Sequence, residues 1–193
     1  MSETTRDAVS ALTAAHEQMQ ALRLKIRALS REVAAMPVSD YTLKDRDGKD
    51  VTLSSLFGEK NDLIIIHNMG KGCRYCTLWA DGFSGTHMHF ENRAGFALVS
   101  PDEPAVMREF ADSRGWQFRT LSNHGGTFTK DMGFETPEGG ATPGFSTFHR
   151  DKDGTIRRVG CAEFGPGDDY CPIWHMFDLL EDGPNGWEPQ YKY

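Results

Sequence analysis

The segment that most restricts what this chain can fold into runs from Leu63 to Phe83. Leu63–Asn68 is a short, β-branched apolar run, the composition of a strand buried on both faces of a sheet. It passes directly into Met69-Gly70-Lys71-Gly72-Cys73-Arg74-Tyr75-Cys76 and then into a helical stretch, Cys76–Phe83. A central strand that turns sharply into a helix demands an α/β sheet with neighbours on both sides. The cysteines in that turn carry a chemistry of their own. Cys73 falls at the helix start, where free N–H groups and the helix dipole favour thiolate over thiol. Lys71 and Arg74 add positive charge nearby. Two intervening residues let the Cys76 sulfur reach back across one turn and close a disulfide. Gly70 and Gly72 let the backbone turn and leave Cys73 open to a reaction partner. Cys73 is therefore the expected nucleophile and Cys76 the more buried resolving thiol, with Lys71 and Gly72 in support.

The remaining elements fit the same architecture. Tyr41–Lys44 and Lys49–Leu53 flank Asp45-Arg46-Asp47-Gly48 and predict a hairpin, because Asp-Gly supplies the positive backbone angles of a tight turn. Phe96–Ser100 and Phe118–Ser122 predict two more strands around a helix at Pro104–Arg114, which has Pro in its first turn and Gly115 behind it. Phe145–Arg150 and Ile156–Cys161 predict a second hairpin, and Pro172–Leu180 a last amphipathic helix. The result is an α/β domain over residues 38–193 with helices on both faces.

Residues 1–37 form a separate amphipathic segment. Its first 36 residues contain neither Gly nor Pro, and from Leu22 the apolar positions Ile26, Leu29, Val33 and Met36 keep heptad spacing. Pro37 ends the helix. A stripe of this kind either lies across its own domain or meets a partner, and a homodimer through this helix is one expectation.

Charge and composition exclude several classes. Lys plus Arg is 21 and Asp plus Glu 28, a net charge of −7, so the chain is a poor ligand for nucleic acid or anionic membrane. No apolar run approaches the ~18 residues of a bilayer span. The start, Met1-Ser2-Glu3-Thr4-Thr5, lacks the basic and apolar regions of a secretory signal, so the expected compartment is the cytoplasm, where thiols stay reduced. No cofactor is called for, since a dithiol carries its own two electrons.

Tyr41-Thr42-Leu43, Asp47-Gly48, Val51-Thr52-Leu53 and Leu56-Phe57 look like the opening of many thioredoxin-like and peroxiredoxin-like domains. More specifically, Gly72-Cys73-Arg74-Tyr75-Cys76-Thr77-Leu78-Trp79-Ala80-Asp81 resembles the bacterial family called domain of unknown function 899, whose members carry Gly-Cys-x-x-Cys-x-x-Trp-Ala-Asp behind a helical N-terminal segment. The ending, Phe164-Gly165-Pro166-Gly167-Asp168 through Trp174-His175 to Gly186-Trp187, is similar to one branch of it. The resemblance implies a thioredoxin-like three-layer sandwich with a mixed central sheet, preceded by a long N-terminal helix; the dithiol chemistry itself points to a disulfide-containing protein or small thiol substrate. The resemblance also draws attention to Ala141-Thr142-Pro143. An X–Pro bond accommodates the cis form at a cost of only ~0.5–1 kcal/mol, and in redox proteins of this architecture such a Pro faces the dithiol and exposes backbone for substrate. Thr142 and Pro143 are the substrate-binding candidates. Departures are informative too. Thioredoxins place Trp before the first Cys and Gly-Pro between the pair, where this chain has Gly72 and Arg74-Tyr75. Peroxiredoxins use a Thr three residues before the reactive Cys to polarise peroxide, and Gly70 stands there, which argues against peroxide reduction as the main activity.

Other residues have weaker signals. Cys161 and Cys171 could pair, join Cys73 and Cys76 at zinc, or simply be small buried hydrophobes. His67, His87 and His89 are candidate metal ligands, though the last two lie on a stretch that reads as alternating and exposed. Asp45-x-Asp47-Gly48 and Asp151-x-Asp153-Gly154 lack the further acids of a calcium loop and read as turns. Trp79 and Phe83, four apart, suit a core face of the helix. Asp81 could accept a proton from a buried thiol or serve only as a surface carboxylate.

Overall fold

The computed structural model describes residues 2–34 and 36–193. Its elements follow the chain as α1 (Glu3–Ala34), β1 (Met36–Pro37), β2 (Thr42–Lys44), β3 (Asp50–Thr52), a 3-10 turn (Ser54–Phe57), β4 (Asp62–His67), α2 (Arg74–Ser84), α3 (His87–Arg93), β5 (Gly95–Ser100), α4 (Pro104–Arg114), β6 (Arg119–Ser122), α5 (Phe128–Asp131), β7 (Gly144–Arg150), β8 (Ile156–Glu163) and α6 (Pro172–Phe177). The strands form one mixed sheet in the order β1-β8-β7-β4-β5-β6-β2-β3. β4, β5 and β6 run parallel, which the α2–α3 and α4 crossovers require. β7 returns antiparallel against β4, Gly144 opposite His67. The predicted strand after Asn61 is thus central, paired on both edges.

Alternation along β4 and β5 sends side chains to two cores. Leu63, Ile65, Ala97 and Val99 join Leu43, Phe57, Phe128, Met132 and Phe134 on one face. Ile66, Phe96 and Leu98 join Trp79, Phe83, Met107, Ala111 and Trp174 on the other, beneath α2, α4 and α6. The three layers are uneven. The longer helices crowd one face, while the 3-10 turn, the short α5 and loop aromatics close the other. Each face still removes a full set of large apolar side chains from water, and that removal is the main force favouring the fold.

Three differences from the sequence expectation have simple causes. The helix expected to reach Met36 stops at Ala34, and Met36 and Pro37 pair with Arg158 and Arg157 at the sheet edge. A residue before proline is pushed out of the α region, and an edge strand tolerates the missing N–H. The stretch carrying His87 and His89, expected to alternate, is the helix His87–Arg93, none of whose residues is buried. The last helix ends at Phe177, three residues early.

α1 touches the domain through one side. Arg23, Ile26, Arg27, Ser30 and Arg31 line a cleft of about 390 Å³ against Phe145, Thr147, Cys161 and Tyr170. Arg23 makes a two-point ion pair with Asp169 at 2.8 and 3.1 Å. Of the heptad stripe, Ile26 faces this cleft and Met36 joins the sheet edge, while Leu22, Leu29 and Val33 stay 57%, 49% and 81% exposed.

Candidate active site

β4 delivers the chain to the site at His67, where the parallel strand ends and the next helix begins. Asn68, buried, caps the exit by accepting the Gly70 N–H at 2.7 Å. Gly70 turns with φ +96°, a left-handed geometry that favours glycine. A side chain there would also meet the Asp102 carboxylate at 3.0 Å. Asp102, just past the end of β5, accepts the Lys71 N–H at 2.8 Å and the Ser100 hydroxyl at 2.9 Å. The loop is therefore fastened to the carboxyl ends of two adjacent parallel strands, the usual place for a site in an open α/β sheet.

Cys73 is the N-cap of α2, with φ −99° and ψ 105°, and its Sγ accepts the Cys76 N–H at 3.1 Å. Thr77 completes the turn, its hydroxyl donating to the Cys73 carbonyl at 3.0 Å. Cys73 is half-buried and Cys76 buried, and both are unpaired thiols in the structure. The Cys76 S–H, donating to the Cys73 sulfur, is the main cause that pulls the Cys73 pKa down to about 6; the Cys76 and Tyr75 N–H groups assist and burial opposes. The same hydrogen bond, followed by burial and the negative charge of Cys73, pushes the Cys76 thiol up. One sulfur is held as an attacking thiolate and its neighbour as a proton-bearing thiol, the arrangement a two-step dithiol exchange needs.

The other sequence candidates take varied positions. Lys71 and Arg74 flank Cys73, but Arg74 is paired with Glu188 at 3.0 Å, and hydrogen bonds rather than either cation lower the Cys73 pKa. Gly72 is exposed and its Cα faces open space. Trp79 is a core residue, 2% exposed and stacked on Phe164 at 5.3 Å. Asp81 is engaged away from the thiols: Arg114 forms a two-point pair with it, and the Trp116 ring N–H donates to it at 2.8 Å.

The Thr142–Pro143 bond corrects one expectation. It is trans, for no cis peptide occurs among the described residues. The lip it forms is also occupied, because the Thr142 N–H donates to the Phe134 carbonyl at 2.9 Å and the Pro143 carbonyl accepts the Phe164 N–H at 3.0 Å. β7 begins immediately after them, at Gly144, which opens the ladder with β8 opposite Glu163.

Cys161 stands opposite Ser146 on β8, while Cys171 is buried at the start of α6 in the core on the far side of the sheet. Among the described residues no three metal-ligating side chains converge. His67 is wholly buried, stacked on Phe134 at 4.0 Å and bonded through Nε2 to the Ser146 hydroxyl at 2.9 Å. Burial, then the charge of Arg158, lower its pKa to about 3. A surface depression of about 840 Å³ lies between the β2–β3 hairpin and β6, and neither Cys73 nor Cys76 lines it.

Sequence reasoning missed Asn68, Asp102, Thr77 and Tyr191. Ser100-Pro101-Asp102 at the end of a predicted parallel strand was a usable signal. Tyr191, whose hydroxyl donates to the Lys71 carbonyl at 2.9 Å, lies 120 residues away and had none.

Comparison with known proteins now decides the family. The model of the family described as bacterial protein of unknown function (DUF899) matches residues 2–192. The chain belongs to the DUF899 family. Beyond it, a chloroplastic peroxiredoxin Q of Gentiana triflora is 27% identical over 127 residues, 65% of this chain and 58% of that protein. Its counterpart in Populus jackii is 30% identical over 128 residues, 65% and 59% respectively. The chain thus spans under two thirds of the length of these relatives. Among solved structures, a peroxiredoxin Q mutant from Xylella fastidiosa superposes with a TM-score of 0.60 at 14% identity, covering 74% of this chain and 93% of that one. Peroxidoxin BcpB from Mycobacterium tuberculosis gives 0.55 at 22% identity, covering 67% and 84%. The DUF899 chain therefore has the thioredoxin-like fold of the peroxiredoxins, and among its described residues no helix is long and apolar enough to cross a membrane.

Proposed function

We propose that this DUF899 protein is a thiol–disulfide oxidoreductase in which Cys73 attacks and Cys76 resolves. The observation that carries the reading is the Cys73 sulfur at the N-cap of α2, accepting the Cys76 N–H at 3.1 Å above a buried second thiol. Cys73 thiolate would attack a substrate disulfide, form a mixed disulfide and lose it to Cys76, leaving Cys73–Cys76 oxidised. The dithiol operates without a cofactor, in an acidic chain suited to neither nucleic acid nor anionic membrane, in a reducing compartment such as the cytoplasm. Peroxide reduction is the second reading, favoured by the peroxiredoxin Q relatives. It is opposed at Gly70, where positive φ and the adjacent Asp102 carboxylate leave no room for the Thr that peroxiredoxins place three residues before their reactive Cys. The test is single-turnover oxidation of reduced protein by 5,5′-dithiobis(2-nitrobenzoate) and by hydrogen peroxide, with Cys73→Ser and Cys76→Ser variants. Faster oxidation by the disulfide, lost in Cys73→Ser and stalled at the mixed disulfide in Cys76→Ser, supports the first reading. Faster oxidation by peroxide selects the second.

The same reading includes a homodimer through α1. The helix meets its own domain through Arg23, Ile26, Arg27, Ser30 and Arg31, leaving Leu22, Leu29 and Val33 outside. Its first half carries Glu3, Asp7 and Glu17 against Arg6, its second Arg23, Lys25, Arg27 and Arg31 against Glu32. An antiparallel second copy would place acidic half on basic half while covering the stripe.

A further inference from the structure

The last residues of the chain, Trp187-Glu188-Pro189-Gln190-Tyr191-Lys192-Tyr193, form no helix or strand. A segment without helix or strand is mobile unless side-chain contacts hold it. This one is held at Trp187, Glu188, Pro189 and Tyr191. Trp187 packs edge-on against Phe177 at 5.0 Å and Trp174 at 6.1 Å. Glu188 pairs with Arg74 at 3.0 Å. Pro189 is buried. The Tyr191 carbonyl accepts from Arg114 at 2.7 Å, its ring stands edge-on to Phe110 at 6.2 Å, and its hydroxyl donates to the Lys71 carbonyl.

Two of those anchors belong to the dithiol motif itself. Lys71 lies two residues before Cys73, and Arg74 one residue after it. The segment therefore crosses the mouth of the site, close enough that Cys73 and Cys76 help burial raise the Tyr191 pKa, with Arg74 opposing. At the Thr142–Pro143 lip the Thr142 N–H is bonded to the Phe134 carbonyl and the Pro143 carbonyl to the Phe164 N–H, so an extended polypeptide finds no free backbone N–H there to pair with.

We infer that Trp187–Tyr193 is a strap that confines Cys73 to small substrates, of which a low-molecular-mass disulfide is the class, and keeps protein disulfides out. The inference rests on the dithiol reading above and adds substrate size to it. In the reaction, Cys73 thiolate forms a bond to one sulfur of RSSR as the S–S bond breaks, and RS⁻ departs and takes a proton from solvent. Cys76 then gives its proton to solvent and attacks the Cys73 sulfur, expelling the second RS⁻. The small disulfide is reduced by two electrons to two thiols, and the protein dithiol is oxidised to Cys73–Cys76.

The experiment uses the full chain and a full-length Tyr191→Phe/Glu188→Gln variant, which loses both motif anchors. Reduced proteins are reacted with iodoacetamide and with a maleimide on polyethylene glycol, and labelling at Cys73 is read by mass spectrometry; turnover is compared between 5,5′-dithiobis(2-nitrobenzoate) and insulin. Losing one hydrogen bond and one exposed ion pair multiplies the open population by about tenfold. Rates with the bulky reagent and insulin should rise about that much, while the small reagents change by less than about threefold. Thermal melting checks that the variant is folded, and Trp187→Leu, which loosens the strap from its other end, must move the ratio the same way. An unchanged bulky-to-small ratio in both variants overturns the strap while leaving the dithiol reading intact. Failure of the native protein to form Cys73–Cys76 with any disulfide overturns that reading and the substrate assignment with it.

Discussion

Replacing Cys76 by Ala isolates the interaction on which the reactivity of Cys73 depends. The substitution removes the S–H that donates to the Cys73 sulfur but keeps the N–H that donates at 3.1 Å, since that belongs to the backbone. Cys73 titrates at about 6, against an ordinary thiol value of 9.0. If the side-chain donor supplies about half of that lowering, the variant titrates near ~7.5. At pH 7 the thiolate fraction then falls from ~90% to ~25%, a roughly fourfold loss of reactivity at constant intrinsic nucleophilicity. The assay is the iodoacetamide rate at Cys73 from pH 4 to pH 10, read by mass spectrometry. The native protein should show a midpoint near 6, and Cys76→Ala a midpoint displaced upward by at least ~1 unit. A variant that still titrates near 6 would refute the assignment and transfer the effect to the helix N-terminus. A native midpoint at the ordinary value would refute both.

Other outcomes follow from the same contacts. Because the Cys73 pKa is lowered on folding, its contribution is complete above the unfolded value near 9 and disappears as pH falls through about 6; chemical denaturation should show stability rising between those limits by roughly 2 kcal/mol, halved for solvent exposure. His67 is a base with its pKa lowered to about 3, so stability should fall as pH drops below 6.5, at up to ~1.4 kcal/mol per unit. A Ser146→Ala variant, which takes the partner from His67 and Arg158 together, should lose ~1–3 kcal/mol in urea titration. Gly70→Ala must adopt φ +96° and displace Asp102 from its Lys71 and Ser100 donors, so a loss of ~2–4 kcal/mol is expected; a loss below ~1 would show that the loop relaxes freely. Light scattering should find a dimer for the full chain and a monomer for Leu22→Asp/Leu29→Asp, and a monomeric native chain removes the α1 interface.

What the sequence disclosed follows the range of the interactions involved. The strands other than β1, and α4, were legible because burial period, Asp-Gly turns and Pro and Gly punctuation are local signals, and α4 has the predicted bounds, Pro104–Arg114. α3 was missed because His87-Met88-His89 mimics strand alternation, and only packing of Phe90 against Phe83 and Phe96 selects the helix. The positions of Cys73 and Cys76 at the start of α2 were visible in seven residues. The groups that brace them were not, since Asp102 and Tyr191 are brought in by sheet order and by the return of the chain terminus. Thr142–Pro143 shows the opposite error. The sequence permits a cis bond there that the structure does not contain, and the Thr142 N–H and Pro143 carbonyl bond instead to Phe134 and Phe164.

The two ends of the sheet bear on how this molecule behaves when crowded. An open sheet edge presents unpaired N–H and carbonyl groups to which another chain can add. At one end the outermost strand is only Met36–Pro37, and the proline has no N–H to give. At the other it is the three-residue Asp50–Thr52, with a charged residue at its start. Neither edge offers a long, flat template, so strand-by-strand growth of fibrils is blocked at both ends. Exposed apolar side chains on α1 and at the end of α6, such as Leu22, Val33, Met176 and Leu179, are the routes to self-association that stay open, and solubility should respond to substitutions there more than to those along the sheet margins.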